Sequence, residues 1–312
     1  MTRPHRIPTI IAVVGFVLCL LVPLVVHKDY ELNVLFRIAL FAALGLAWNL
    51  VGGYAGQLSL GNAAFFGIGA YSLPVFHRLG APIIVALVLG MVTAVAAALV
   101  IGRVAFRLRG PYFALATIAF AEVLRLSAKN LDKITGGDVG IQVPALFASD
   151  PSRWFYWSAV ALTAAALATT VLIVRSRFGY ALQAVREDED TTLACGIDAA
   201  RTKLLAFLIS AAFTALGGAL YASLFFYIVP DQVLAIEISE KSAIVAMLGG
   251  AGTMVGPIVG AALLETAQEL FKNWFQEAHQ LIYGVLLVVV VLFLPDGIVG
   301  SVTARWRKRS AR

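Results

Sequence analysis

Three groups of residues in this chain have types and spacings that could carry function. The first is Arg186, Glu187, Asp188, Glu189 and Asp190, one positive charge and then four negative ones, followed by the small apolar run Ala194, Cys195, Gly196 and Ile197. A charged rim beside apolar residues and a glycine is what a docking contact with another protein needs. The second group is neutral and polar. Asn49, Gln57, Ser59 and Asn62 sit among apolar residues and glycines, and a second glycine cluster, Gly249, Gly250 and Gly252, lies some 200 residues later. Polar groups in such surroundings cannot face lipid without cost, so they either pack helices together or line a path for a polar solute. The third group is charged pairs one helical turn apart. Glu122 and Arg125 read as a salt bridge near a helix end, and Glu265 and Glu269 read as acids facing the outside.

None of these groups is a catalytic constellation. The sequence holds no G-x-S-x-G, no H-E-x-x-H, and no G-x(4)-G-K-[ST] phosphate loop. Its two cysteines, Cys19 and Cys195, fall in an apolar run and a polar loop, and neither has metal-ligand spacing with any of the four histidines. The chain reads as a non-enzyme with no cofactor of its own. If it moves a solute actively, the energy comes from a partner.

The elements that must position these residues follow from composition. Of 312 residues, 60% are apolar and only 13% charged, where soluble domains carry roughly 25% charged residues. Mean hydropathy is +0.88. Apolar runs near the roughly 20 residues that span a bilayer core occur at 7–26, 35–51, 82–101, 111–128, 154–174 and 204–229, with a shorter one at 281–294. Two further apolar regions, 52–79 and 239–270, are interrupted by glycines. The runs are continuous rather than alternating, so they predict helices and not barrel strands. The run at 7–26 follows Arg3 and Arg6 but is too long for a signal peptide and lacks a cleavage site, so it reads as a retained first helix.

Charge sets the orientation. The net charge of +6 is concentrated in short segments between apolar runs, as the positive-inside rule requires, and does not form a nucleic-acid footprint. Arg103, Arg107 and Arg109, the tail with Arg305, Arg307, Lys308, Arg309 and Arg312, the arginine-rich loop 175–203, and the N-terminus all read as cytoplasmic. Parity between these segments needs an even number of crossings. It is met if 63–79 crosses and if 239–270 enters as a half-helix, breaks at Gly249, Gly250 and Gly252, and returns from Thr253. The expected fold is an all-α, polytopic transmembrane bundle of about ten segments, some short or broken. It is a single domain over 1–312, with a cytoplasmic loop at 175–203 and a short basic tail at 301–312. Within the loop, Phe178, Ala181, Leu182 and Val185 predict a short amphipathic helix, and a second short helix ends at Gly196.

At these residues the sequence resembles a known family. The loop from Arg186 to Gly196 and Ile197 is similar to the cytoplasmic coupling loop of ABC importer permeases, most of all the branched-chain amino-acid permeases of the LivM/LivH type. Asp190, Thr191 and Thr192 depart from the small residues usual there. In segment 49–71, Asn49, Gly53, Gly56, Gln57, Ser59, Gly61, Ala63, Phe65, Gly67, Gly69, Ala70 and Tyr71 match that family's signature in order and spacing. Thr135, Gly136, Gly137, Gly140 and Ile141 resemble its external loop. Gly249, Gly250, Gly252, Gly256, Pro257, Gly260 and Ala261 resemble its second glycine run, and Phe293, Pro295, Gly297 and Gly300 its closing motif. Gly252, Gly256 and Gly260, four apart, are expected to share one helix face, packed either within the chain or against a partner permease.

The resemblance implies a multi-pass permease subunit in a bacterial plasma (inner) membrane with both termini cytoplasmic. It implies import of branched-chain amino acids, or of urea or another small polar solute. The implied partners are a second permease subunit, two cytoplasmic ATPases that bind the ATP, and a periplasmic or extracellular solute-binding protein. Arg186, Glu187, Asp188, Glu189, Ala194, Gly196 and Ile197 would couple to the ATPase. Asn49, Gln57, Ser59, Asn62, Gly249, Gly250 and Gly252 would line the translocation path. A stand-alone secondary transporter or channel is the competing class, but ion coupling calls for acids inside the membrane, and the middle of each apolar run has none. The topology is checked by labelling. A cysteine at Ser310→Cys is expected to resist an impermeant reagent in intact cells, and ready labelling there would overturn the ten-segment scheme.

Overall fold

The computed structural model describes residues 28–108, 110–147, 150–274 and 297–301. The expected first and last membrane segments, 7–26 and 281–294, and most of the basic tail lie outside them. The regular structure of the described residues is helical apart from one two-residue ladder, β1 (Ile141–Gln142) paired antiparallel with β2 (Tyr227–Ile228). Among the described residues five helices are long and apolar enough to cross a membrane: Asp29–Tyr54, Ile83–Ala105, Pro111–Asn130, Ser152–Val174 and Ala199–Phe225. Three shorter or more charged helices stand where the interrupted regions were expected, at Asn62–Arg78, Ile236–Gly249 and Gly256–Trp274.

Helix α1 (Asp29–Asn49) is the centre of the bundle. It is buried continuously from Leu40 to Asn49 and packs against α6 (Pro151–Val174), α9 (Ala199–Phe225), α11 (Ile236–Gly249) and α12 (Gly256–Trp274). Asp29 and Glu31 in its first turn complement the helix dipole. Its other end widens into a π turn, Leu50–Tyr54, at the pair Gly52 and Gly53. The chain then runs without regular structure to α2 (Asn62–Arg78).

Helix α3 (Ile83–Ala105) shows how composition divides a membrane helix. Ala86, Gly90, Ala94, Ala98, Gly102 and Ala105 form a buried stripe of small residues against α2 and α9. On the far side Ile84 is 75% exposed and Val100 68%, with Val88, Val92 and Val104 alongside. An exposed valine and isoleucine face fits lipid, while small residues let backbones approach. Helices α2 and α9 also approach backbone to backbone. A Cβ on Gly69 would collide with the Ala215 carbonyl, and one on Gly218 with the Phe66 carbonyl.

Helices α11 and α12 form a tight hairpin around the second break. The expectation that Gly252, Gly256 and Gly260 share one helix face changes here. Gly252 lies in the break with φ +77, and α12 begins only at Gly256. Gly260 and Gly256 do face α11, where side chains would strike the Val245 and Gly250 carbonyls, so this packing is internal to the chain.

At the end of the bundle that holds the β ladder, α4 (Pro111–Asn130), a single turn α5 (Asp132–Thr135) and a single turn α10 (Pro230–Val233) meet. Arg125 pairs with Glu122, as its spacing predicts, and also with Asp231. Lys129 Nζ lies 2.7 Å from the Asp231 carboxylate and 3.4 Å from Asp138. Hydrogen bonding from Lys129, and then from Arg125, holds the Asp231 carboxyl below its ordinary range. Its contribution is complete above the ordinary carboxyl range and is lost only as pH falls through the lowered one, so the network is intact at neutral pH.

The α2–α9 contact generates a prediction. Gly69→Val is expected to destabilise the detergent-purified chain by about 1–3 kcal/mol through overpacking. Val100→Ile on the exposed face of α3 should stay within about 0.5 kcal/mol. Thermal unfolding of the two variants checks this, and equal melting temperatures would contradict the packing.

Candidate functional site

The two interrupted segments meet, and a single side chain closes them. Asn49, the last residue of α1, donates from Nδ2 to the Thr253 carbonyl at 2.8 Å and accepts from the Gly252 N–H at Oδ1, also at 2.8 Å. The residue is fully buried. A helix broken inside a bilayer leaves N–H and C=O groups that neither water nor helix can satisfy, and each bare group costs several kcal/mol. A carboxamide offers one donor and one acceptor side by side, so it can stand in for a missing peptide unit. Gly53 completes the contact, because a Cβ there would run into the Asn49 carboxamide and the Gly252 nitrogen.

The loop after α6 folds as two short helices, α7 (Arg177–Glu187) and α8 (Glu189–Ala194), before α9 begins. Each of the three starts has a side-chain cap. Ser176 accepts from Gly179 N–H, Asp188 from Thr191 N–H at 2.6 Å, and Asp198 from Arg201 N–H at 3.0 Å. Leu182 and Val185 bury the apolar side of α7, in line with its expected amphipathic pattern. Asp188, a candidate docking residue by sequence, is therefore the N-cap of α8.

Arg186 points back into the bundle. Its Nη1 donates to the Gly53 carbonyl at 2.7 Å and lies where it would be 2.6 Å from a Cβ on Gly252. One guanidinium thus spans both breaks. Beside it is a cavity of about 400 Å³ lined by Tyr54, Gln183, Ala184, Arg186, Glu187 and Gly252.

Glu189 also faces inward. Lys203, near the start of α9, is buried, with a side chain only 2% exposed. Its Nζ donates to both Glu189 oxygens, at 2.8 and 2.9 Å, and lies 5.5 Å from the centre of the Phe106 ring. Gln57 Nε2 donates to the same carboxylate at 3.2 Å. The loop is thereby tied to segment 55–61 as well as to the π turn.

The remaining expected residues divide. Ser59 and Asn62 are buried away from the cavity. The Ser59 carbonyl accepts from Trp48 Nε1 at 2.7 Å, and the Asn62 Nδ2 is buried without a hydrogen-bond partner among the described residues. Nearby, Leu60 N–H donates to Thr117 Oγ1 at 3.1 Å and Ala63 N–H to Ser239 Oγ at 2.7 Å. Sequence reasoning missed Thr117, Ser239 and Lys203. Hydroxyls in apolar runs are common, and a lysine at a helix start resembles any flanking charge. Gly249 and Gly250 end α11, Gly250 with φ +124. Ala194 and Gly196 are exposed with Leu193 and Cys195, and a Cβ on Gly196 would meet open space. This patch is the free face of the loop. Among the described residues no group of histidine, cysteine and acids could hold a metal.

The family model for the branched-chain amino acid transport system permease component matches residues 30–291, which include both breaks and the capped loop. The chain belongs to this permease family. The permease is 31% identical over 302 residues to the high-affinity branched-chain amino acid transport system permease protein LivM of Salmonella typhimurium, covering 88% of this chain and 71% of that one. It is 32% identical over 288 residues to LivM of Escherichia coli K12, covering 83% and 67%. It is 26% identical over 285 residues to the permease protein LivH of Salmonella typhimurium, covering 83% and 91%. No solved structure matches the chain. Its relatives are transport permeases, so the permease works by transport and not by catalysis.

The buried ion pair generates a prediction. Glu189→Gln leaves the Lys203 ammonium buried without its counter-charge and is expected to cost about 3–5 kcal/mol. Adding Lys203→Met should recover most of that loss. Thermal unfolding of the two variants in detergent checks it, and a Glu189→Gln melting temperature equal to wild type would refute the pairing.

Proposed function

We infer that this permease is the membrane-spanning subunit of an ABC importer that carries branched-chain amino acids, or a similar small polar solute, into the cell. The observation that carries this reading is the seating of the loop. Arg186 and Glu189 bind the loop to the first broken segment and to α9, with the Arg186 guanidinium beside Gly252 of the second, while Leu193, Ala194, Cys195 and Gly196 remain outward and open. An element fixed on one side to the interrupted part of the bundle and bare on the other is suited to transmit a push from a soluble partner. The chain has no phosphate loop, so that partner supplies ATP hydrolysis.

In this reading the apolar residues Ala194, Cys195 and Ile197 dock into an ATPase groove, with Gly196 allowing close backbone approach. Glu187 and Asp190 form the rim, while Arg186 and Glu189 relay displacement inward. Asn49 and the Gly249–Gly252 break form the part of the translocation path that opens, with Gln57 as its neutral polar lining on the loop side, while Ser59 and Asn62, buried away from the cavity, brace the segment behind it. A neutral lining passes a zwitterion without trapping it. A second permease subunit pairs with this chain, which is supported by relatives that carry both LivM and LivH names. Two ATPases and an external solute-binding protein complete the system, with both termini of the chain in the cytoplasm of a bacterial inner membrane.

The test uses the reconstituted complex. Ala194→Trp and Gly196→Trp are each expected to lower solute uptake and permease-stimulated ATP hydrolysis by at least about tenfold, or about 1.4 kcal/mol. Ala194→Trp is the cleaner of the two, because Gly196 has φ +82 and any side chain there is strained. The melting temperature of the Ala194→Trp permease should stay near wild type. Normal uptake by a folded Ala194→Trp complex would show that the loop is not the coupling element.

A further inference from the structure

At the end of the bundle opposite the 175–198 loop, α1 starts and α9 ends. Between them is a cavity of about 270 Å³ lined by Tyr30, Asn33, Val34, Arg37, Leu224 and Phe225. The four α1 residues fall at i, i+3, i+4 and i+7 and share one helix face. The lining has two characters. Arg37, Asn33 and Tyr30 are polar, while Val34, Leu224 and Phe225 form an apolar wall.

The polar side is backed by a charged cluster in the packing of α1, α11 and α12. Arg37 pairs with Glu269, and its Nε lies 3.7 Å from Glu265. Lys241 pairs with Glu265 from the other side, donates to Gln268 at 2.9 Å, and sits 3.9 Å from the centre of the Phe41 ring. The Tyr30 hydroxyl donates to Glu269. The acids expected to face outward are thus folded into the bundle, with Glu265 only 2% exposed. Two cations balance two carboxylates, yet the balance leaves capacity unused. Arg37 Nε is buried and has no hydrogen-bond partner among the described residues, although the side chain as a whole is 32% exposed. A guanidinium has five N–H donors, more than these two carboxylates engage here.

These features select a ligand. Glu269 does not line the cavity but stands directly behind it, bonded to the lining residues Tyr30 and Arg37, so an anion alone would gain from Arg37 but meet the Glu269 charge. A cation alone would meet the reverse. A purely apolar molecule would strip water from Arg37 and Asn33 without replacing it, which is costly. A small zwitterion with a short aliphatic side chain meets all three surfaces at once. The volume, near the lower limit for small-molecule sites, admits such a solute and excludes a peptide or nucleotide.

We propose that this cavity is a binding station for an aliphatic α-amino acid. Its carboxylate is held by Arg37 and Asn33, its ammonium lies toward Glu269, and its side chain packs on Val34, Leu224 and Phe225. The station lies at the opposite end of the bundle from the coupling loop, where an imported solute enters. The assignment rests on the permease reading above and deepens it by naming where the solute is first held.

The experiment uses the assembled transporter complex in lipid nanodiscs without the solute-binding protein. Melting temperature is followed against L-leucine, isovalerate (no ammonium), isopentylamine (no carboxylate) and phosphoethanolamine, a lipid headgroup. Leucine is expected to raise the melting temperature saturably, with each of the other three at least about tenfold weaker. Asn33→Leu and Leu224→Trp leave every charge in place. Both should raise the half-saturating leucine concentration at least about tenfold while the ligand-free melting temperature stays near wild type. Wild-type leucine affinity in both variants, or a stronger response to phosphoethanolamine than to leucine, overturns the cavity assignment while leaving the permease reading standing. A wild-type complex reconstituted with its binding protein that takes up no aliphatic amino acid overturns both.

Discussion

Lipid offers no hydrogen bonds, and the rest of this structure is arranged around that constraint. The chain breaks its helices at two places inside an apolar bundle, and both breaks expose peptide groups. Asn49 resolves the second by lending its carboxamide to Gly252 and Thr253. Arg186 resolves part of the first by donating to the Gly53 carbonyl. Because each break is completed by a residue from elsewhere in the chain, neither can change shape alone. The first half, the second half and the loop share one junction only a few ångströms across.

That junction gives the transport reading its mechanical content. A solute path needs an irregular stretch that can rearrange, and irregular backbone survives at membrane depth only where protein or a cavity covers it. Here the covering groups are few and polar. Exchanging hydrogen bonds among Asn49, Gly53, Gly252 and Arg186 requires little movement, while the α2–α9 contact at Gly69 and Gly218 is packed backbone to backbone and holds the frame. The soft breaks after α1 and α11 are thereby separated from the stiff α2–α9 frame.

Much of the scaffold was legible in the sequence. Apolar runs mark the long helices because a bilayer fixes their length, and clustered glycines mark the breaks because nothing else tolerates them there. The helix over 177–187 follows from Phe178, Leu182 and Val185. The Glu122–Arg125 pair follows from spacing, although its third member, Asp231, comes from 106 residues away and could not. The site was less legible for the same reason. A run of charges in a loop reads as a solvated rim, and whether Arg186 points to solvent or to Gly53 depends on how α7 is rotated against α1. The N-caps Ser176, Asp188 and Asp198 each stand three residues before the amide they bind, a local pattern that would have separated Asp188 from its docking neighbours.

The Lys203–Glu189 pair has a consequence for how force can travel. The two residues lie on either side of the joint between α8 and α9, where a chain of this kind would ordinarily bend. Opening that joint would expose an ammonium in an apolar pocket without its carboxylate, whereas tilting both helices together leaves the pair intact. The joint is welded electrostatically, so a displacement applied to the outer face of the loop reaches the foot of α9 as a rotation of one body. The compliance is left to the breaks.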